Sequence, residues 1–264
     1  RNLKIILKEL EERPDSHQML GYLGDEYLSV NDLDKAEEAF RKAISLMPDT
    51  VEYVDPIRAS MTFTKLLEIL YARGNTPEDV FMEIYHKAIK RLPEEADFDY
   101  YAGKYYSRMK NFPEAEKYLK RALDQLEKYG TAFKSMFLSG DIREAYEMLA
   151  ACCFNNHNLA ECINYSVILL KADRYLANTV LLLLTSFLLD EASGREGAAP
   201  AEAVAQFLGQ NLYDFTSLKD RLFVLKIAMK LQYHSLVEVM RGMFSPEELT
   251  AVDQAMAEEN GKNS

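Results

Sequence analysis

The chain has 264 residues, with 42 acidic against 31 basic side chains, a net charge of −11 and a pI near 5.0. So acidic a surface argues against a nucleic-acid duplex or an anionic bilayer as the main partner and accommodates a basic or mixed polar one more easily. Abundant Leu, Ala, Glu and Lys, few Gly and Pro and no Trp favour helix, and the length suffices for one extended array or two small domains.

Residues 1–13 read as a helix, the second of a pair whose first half precedes them. Opening on Arg1 rather than methionine points to an excised piece of a longer chain, and no signal peptide is visible. The stretch that follows, Met19 to Pro48, sets Leu20, Leu23-Gly24 and Tyr27 ahead of Ala36, Phe40, Ala43 and Pro48. Small residues at Gly24 and Ala36 suit the closest approach of two antiparallel helices, while Leu20, Tyr27 and Phe40 fill the wider gaps. Asp32 is placed to cap the second helix and Pro48 to end it. The interval recurs with decay. Leu67, Tyr71, Tyr85, Ala88 and Pro93 form a unit with a lengthened first helix and a Thr76-Pro77 helix start. Ala102-Gly103, Tyr106, Ala115, Leu119 and Ala122 form a third, and Tyr146, Leu149-Ala150, Cys153, Cys162 and Leu169 a fourth.

This order of residues resembles the tetratricopeptide repeat, with Leu20 where the family usually has Trp. The resemblance implies an all-α fold, a right-handed superhelical solenoid of antiparallel helix pairs, over residues 1–172. Residues 173–264 are then a divergent helical cap. Within them a nearly all-apolar helix over 174–191 is expected to be sandwiched, and its run from Thr179 to Leu189 is too short to span a bilayer. A linker follows at 192–200, then helices at 201–211, 215–232, 234–243 and 246–259, the last opened by the capping sequence Ser245-Pro246-Glu247-Glu248. No strand-like alternation is present. The segments "RNLKIILKELEERP" and "YDFTSLKDRLFVLKIAMKL" also resemble the C-terminal region of bacterial family-2 glycosyltransferases, which implies a non-catalytic region appended to a catalytic domain.

Little in the chain suggests chemistry. Asp97-Phe98-Asp99 has the spelling of a sugar-nucleotide metal motif, but it opens a repeat helix, where acids cap amides and complement the dipole. Cys153, His157 and Cys162 match no zinc spacing, and both cysteines fall where the repeat wants packing residues. With Cys152 they make an odd count, which fits buried thiols or a reducing compartment rather than a disulfide framework. His17, His86 and His234 are dispersed, and no P-loop, dinucleotide fingerprint or nucleophile elbow occurs. No catalytic residue, metal or cofactor is expected, and the expected location is cytoplasmic.

The candidate site is the groove lined by the first helix of each pair. Asp97, Tyr101, Lys104 and Arg108 share one helical stripe, with Ala102, Tyr105 and Tyr106 on the packing side. Tyr22, Asp25 and Ser29 line the same surface one unit earlier, Lys65 comes from the unit between, and Glu144 and Glu147 from the next. Two cations beside a tyrosine suit a carboxylate, a phosphate or a cluster of sugar hydroxyls; the alternative is an ordinary solvated face. Gly21 and Asp25 stand where chaperone-tail clamps carry lysine and asparagine, which argues against that ligand. The expected function is a module that binds a protein, peptide or glycan acceptor for a catalytic domain elsewhere; the alternative is a free-standing scaffold.

Overall fold

The computed structural model describes residues 2–48, 55–130, 135–194 and 196–262, with side chains described up to residue 254. All regular structure among the described residues is helical. Packing divides the chain into two compact units, Arg1–Met148 and Leu149–Ser264.

The first unit contains α1 (Asn2–Glu12), α2 (His17–Ser29), α3 (Leu33–Leu46), α4 (Pro56–Arg73), α5 (Glu78–Arg91), α6 (Ala96–Arg108), α7 (Phe112–Tyr129), α8 (Met136–Gly140) and the start of α9 (Ile142–Asn155). α2 packs on α3, α4 on α5 and α6 on α7, as the repeat predicts, while the first helices α2, α4 and α6 also lie side by side. The small-against-large logic is literal. A Cβ on Gly24 would fall 2.4 Å from the fully buried Phe40 ring, and one on Gly103 would fall 2.6 Å from Leu119. Both contacts join residues sixteen apart, so the two strongest repeats use one register.

The turn inside a pair is equally regular. Asn31, Lys110 and His157 are left-handed (φ 58–59°), and each precedes the residue that caps the next helix. Asp32, Asn111 and Asn158 each donate their backbone N–H to the carbonyl five residues back, at 2.8–3.0 Å. Their side chains in turn accept a backbone N–H from the first turn they open, Asp32 from Lys35 at 3.3 Å.

The second unit holds the rest of α9, α10 (Leu159–Ala172), α11 (Ala177–Ala192), α12 (Ala201–Asn211), α13 (Leu218–Lys230), α14 (His234–Arg241) and α15 (Pro246–Lys262). These bounds follow the expected helices to within about three residues at each end, which is ordinary fraying. The expected linker falls between α11 and α12, and its Arg195 lies outside the described residues. Leu170, Val180, Leu184, Val204, Val224 and Leu236 belong to one apolar cluster. Two polar ties accompany it. Buried Asp220 accepts from Arg174 at 3.2 Å, from the Tyr175 hydroxyl and from the backbone N–H of Asp214 at 2.9 Å. Glu248 accepts from the Ser245 backbone N–H at 2.9 Å while the Ser245 hydroxyl accepts from the Glu248 N–H at 3.2 Å, the predicted reciprocal cap. Arg221 grips the same carboxylate with both ends of its guanidinium, at 3.1 and 2.9 Å.

The turn geometry recurs once more here. Gln232 has φ 55°, and the N–H of Tyr233 reaches the carbonyl of Ala228, again five back, at 3.0 Å. The pair α13–α14 thus keeps the turn of the repeat where the repeat's residues have vanished.

Candidate functional site

The face formed by α2, α4, α6 and the start of α9 carries a chain of polar side chains tied from one first helix to the next. On α2, Asp25 accepts from Arg58 at 2.5 Å and from Lys65 at 3.0 Å, both on α4. Arg58 is only 5% exposed, and its guanidinium fits there because Gly21 has no side chain: a Cβ on Gly21 would stand 3.1 Å from Arg58 Nε. The same guanidinium lies 4.8 Å from the centre of the half-exposed Tyr22 ring.

A second cluster joins α4, α6 and α9. Lys104 Nζ reaches the Glu144 carboxylate at 3.0 Å and stands 5.4, 4.9 and 5.8 Å from the rings of Tyr71, Tyr100 and Tyr101. Tyr100 donates its hydroxyl to Glu144 at 3.1 Å. Arg108 stacks 3.8 Å over the Tyr71 ring and donates to the Tyr71 carbonyl. Glu68, partly buried on the same stripe of α4 as Lys65, makes no ion pair with a described residue. Burial pushes its carboxyl upward, and the charges of Lys65 and Lys104 pull it back.

The predicted stripe on α6 is therefore divided. Lys104 and Arg108 lie in the cluster, but Asp97 is 1% and Tyr101 3% exposed, so neither presents its side chain to solvent. Both are covered by α8, whose Phe137 ring stands 6.1 Å from that of Tyr101. Asp97 accepts the backbone N–H groups of Phe137 and Leu138, at 3.1 and 2.8 Å. Its carboxylate caps α8 rather than its own helix, and burial pushes its pKa up against the pull of those N–H groups. Asp99 is also turned inward, accepting the Tyr85 hydroxyl at 2.6 Å with Arg121 3.4 Å away. The Asp97-Phe98-Asp99 motif is structural. Arg121 of α7, itself half exposed, is tied to it.

The structure thus brings Asp25 together with Lys65, and Tyr101 and Lys104 with Glu144. Ser29 and Glu147 bond locally, the first to the Glu26 carbonyl at 2.7 Å and the second to Arg143 at 2.8 Å. Sequence reasoning missed Arg58, Glu68, Tyr71 and Tyr100. Gly21 was a usable sign of Arg58, since a glycine inside a helix marks a close approach. Glu68 was also within reach, because Lys65, Glu68 and Ala72 repeat the spacing of the α6 stripe.

Cys152, Cys153 and Cys162 are fully buried, and burial raises the Cys162 thiol. His157 is the left-handed turn residue between α9 and α10. Among the described residues no group of three or more His, Cys, Asp or Glu is gathered as a metal site, and no helix is long and apolar enough to cross a membrane.

Stacked helix pairs with a polar first-helix face define an all-helical repeat fold. Residues 17–50 match the Tetratricopeptide repeat family. Over 85% of this chain and 97% of the other, the fold is similar to YrrB, described as a TPR protein with an unusual peptide-binding site (TM-score 0.56, 18% identity). It is likewise similar to the C-terminal part of a TPR repeat-containing protein from Cytophaga hutchinsonii, over 94% and 92% of the two chains (TM-score 0.55, 13% identity). No curated protein sequence matches the chain. These likenesses establish the all-helical repeat fold and bring nothing to the glycosyltransferase resemblance.

Proposed function

We propose that this protein binds an extended segment of a partner protein on the face of α2, α4 and α6, and that it is not itself a catalyst. The observation that carries the reading is the continuity of that face. Asp25 links α2 to α4, and Lys104 links α6 to α9 beside the Tyr71 ring of α4, so the face offers pre-positioned polar and aromatic groups on rigid helices. The peptide-binding site in the description of YrrB is consistent with this use of the fold. In this reading the repeats to about residue 172 supply the surface, and residues 173–264 are the helical extension. A role beside a glycosyltransferase domain rests on the wording of two segments alone, whereas a free-standing interaction module needs only the face.

The test is to select peptides on the purified protein from a random library and titrate the best against two double variants. Tyr22→Ala/Lys65→Ala alters the first-helix face. Lys87→Ala/Lys117→Ala alters the second helices α5 and α7, where each lysine forms its ion pair with a glutamate of its own helix. The first should lose roughly tenfold or more in affinity, the loss of one charged contact, and the second almost nothing. The opposite pattern would assign the working surface to the second helices.

A further inference from the structure

The segment that covers Asp97 and Tyr101 has little to hold it in place by itself. α8 has five residues, too few to persist as a helix without outside support. Its N-cap residue, Ser135, makes no side-chain cap; the hydroxyl donates to the Gly130 carbonyl at 3.1 Å instead. The amides that open α8 go to Asp97 of α6, some forty residues earlier. The rest of the attachment is apolar. Leu138 is fully buried, and the Phe137 ring meets Tyr101 edge-on. At its other end α8 stops at Asp141, a single non-helical residue before α9 begins, which leaves a joint about which α8 can pivot while α9 stays intact.

The anchor is an uncompensated charge. With α8 in place Asp97 is 1% exposed, and no cation among the described residues pairs with it. Two forces act on that charge in opposite senses. Removal from water penalises it, whereas the N–H groups of α8 stabilise it. The penalty prevails and holds the carboxyl above its ordinary range, and the negative Asp141 at the end of α8 adds to the push. The other ionisable groups on this side are Tyr101, one turn along α6, then Glu68 of α4, and Glu144 of α9 with its partner Lys104.

When α8 lifts, Asp97 returns to water and to an ordinary carboxyl pKa. A proton therefore binds the covered form more tightly than the open one, and linkage makes acid favour the cover. The gain begins as pH falls through the raised value and is complete below the ordinary one. Above the raised value the buried charge works against the cover.

We propose that α8 is a latch over the Tyr101 end of the first-helix face, closed most firmly when Asp97 carries a proton and opened most easily when Asp97 is charged. Opening uncovers the Tyr101 and Phe137 rings where the face passes from α6 to α9. The latch rests on this packing alone; that its opening enlarges the surface offered to a partner rests on the interaction-module reading above.

The test is amide hydrogen exchange on the full chain, read by NMR between about pH 7.5 and 4.5 and corrected for the intrinsic pH dependence of exchange. The buried Leu119 of α7 is the internal reference for global opening. In the wild type, protection of the Phe137 and Leu138 amides should rise severalfold on acidification relative to Leu119. Asp97→Asn keeps an oxygen acceptor for both amides and removes the charge, so its protection should be high and independent of pH. Asp141→Asn should keep the wild-type trend. Wild-type protection that is flat or falls on acidification, or an Asp97→Asn profile that still follows pH, would overturn the proposal. If Asp97→Asn fails to fold, a carbon-13 titration of the wild type decides. The Asp97 carboxyl should titrate above the ordinary value of about 3.9, and a value at or below it would contradict the latch.

Discussion

Two turns in different units, at residues 27–32 and 228–233, have the same geometry and almost nothing chemical in common. Each ends a first helix with a left-handed residue and a hydrogen bond spanning five residues. Eight residues before the end of the first turn stands Gly24, pressed on Phe40; at the equivalent place before the second stands Leu225, fully buried. The first pair closes by making room and the second by filling it. Backbone geometry therefore outlasts the motif. The residue types record how close the two helices come, not whether the pair exists.

The sharpest way to break this comparison is to change the paired positions in opposite senses. Gly24→Leu should destabilise by about 1–3 kcal/mol or more through overpacking against Phe40, measured by urea unfolding. Leu225→Ala should cost about 2–5 kcal/mol through the cavity it leaves. If Gly24→Leu is neutral, the close approach is not a constraint. If Leu225→Ala is neutral, the second pair is not packed as described. Gly140→Ala, where an added Cβ meets nothing, is the control and should change stability little.

A smaller effect probes what the turns share. Gln232→Gly and Lys110→Gly should each stabilise by up to about 1 kcal/mol, because both positions hold a side chain at φ 55–58°. Asn31→Gly should do less, since asparagine tolerates that region. A loss of stability at Gln232 but not at Lys110 would show that the shared turn has different roles in the two units.

The fold was legible wherever the determinants were local. The Gly24 and Gly103 contacts, the Asp32 cap and the Ser245–Glu248 reciprocal cap could all be read from spacings of sixteen residues or fewer. The site was half legible. Helical periodicity put Lys104 and Arg108 on one stripe of α6, but periodicity knows only its own helix. That Asp97 and Tyr101 lie beneath α8 depends on a segment some forty residues away folding back onto them. That Lys65 is committed to Asp25 depends on a contact of the same span. Such pairings cancelled the cations that had suggested an acidic ligand, and only the tertiary structure reveals them.

The most direct test of the central claim, that the first helices form the working face, is an NMR footprint of a library-selected peptide on isotopically labelled protein. The account predicts shifted or broadened resonances at Tyr22, Lys65, Glu68 and Glu144, with the outward positions of α3, α5 and α7, such as Lys87 and Lys117, unmoved. A footprint confined to α3, α5 and α7 that leaves those four residues unperturbed would contradict it.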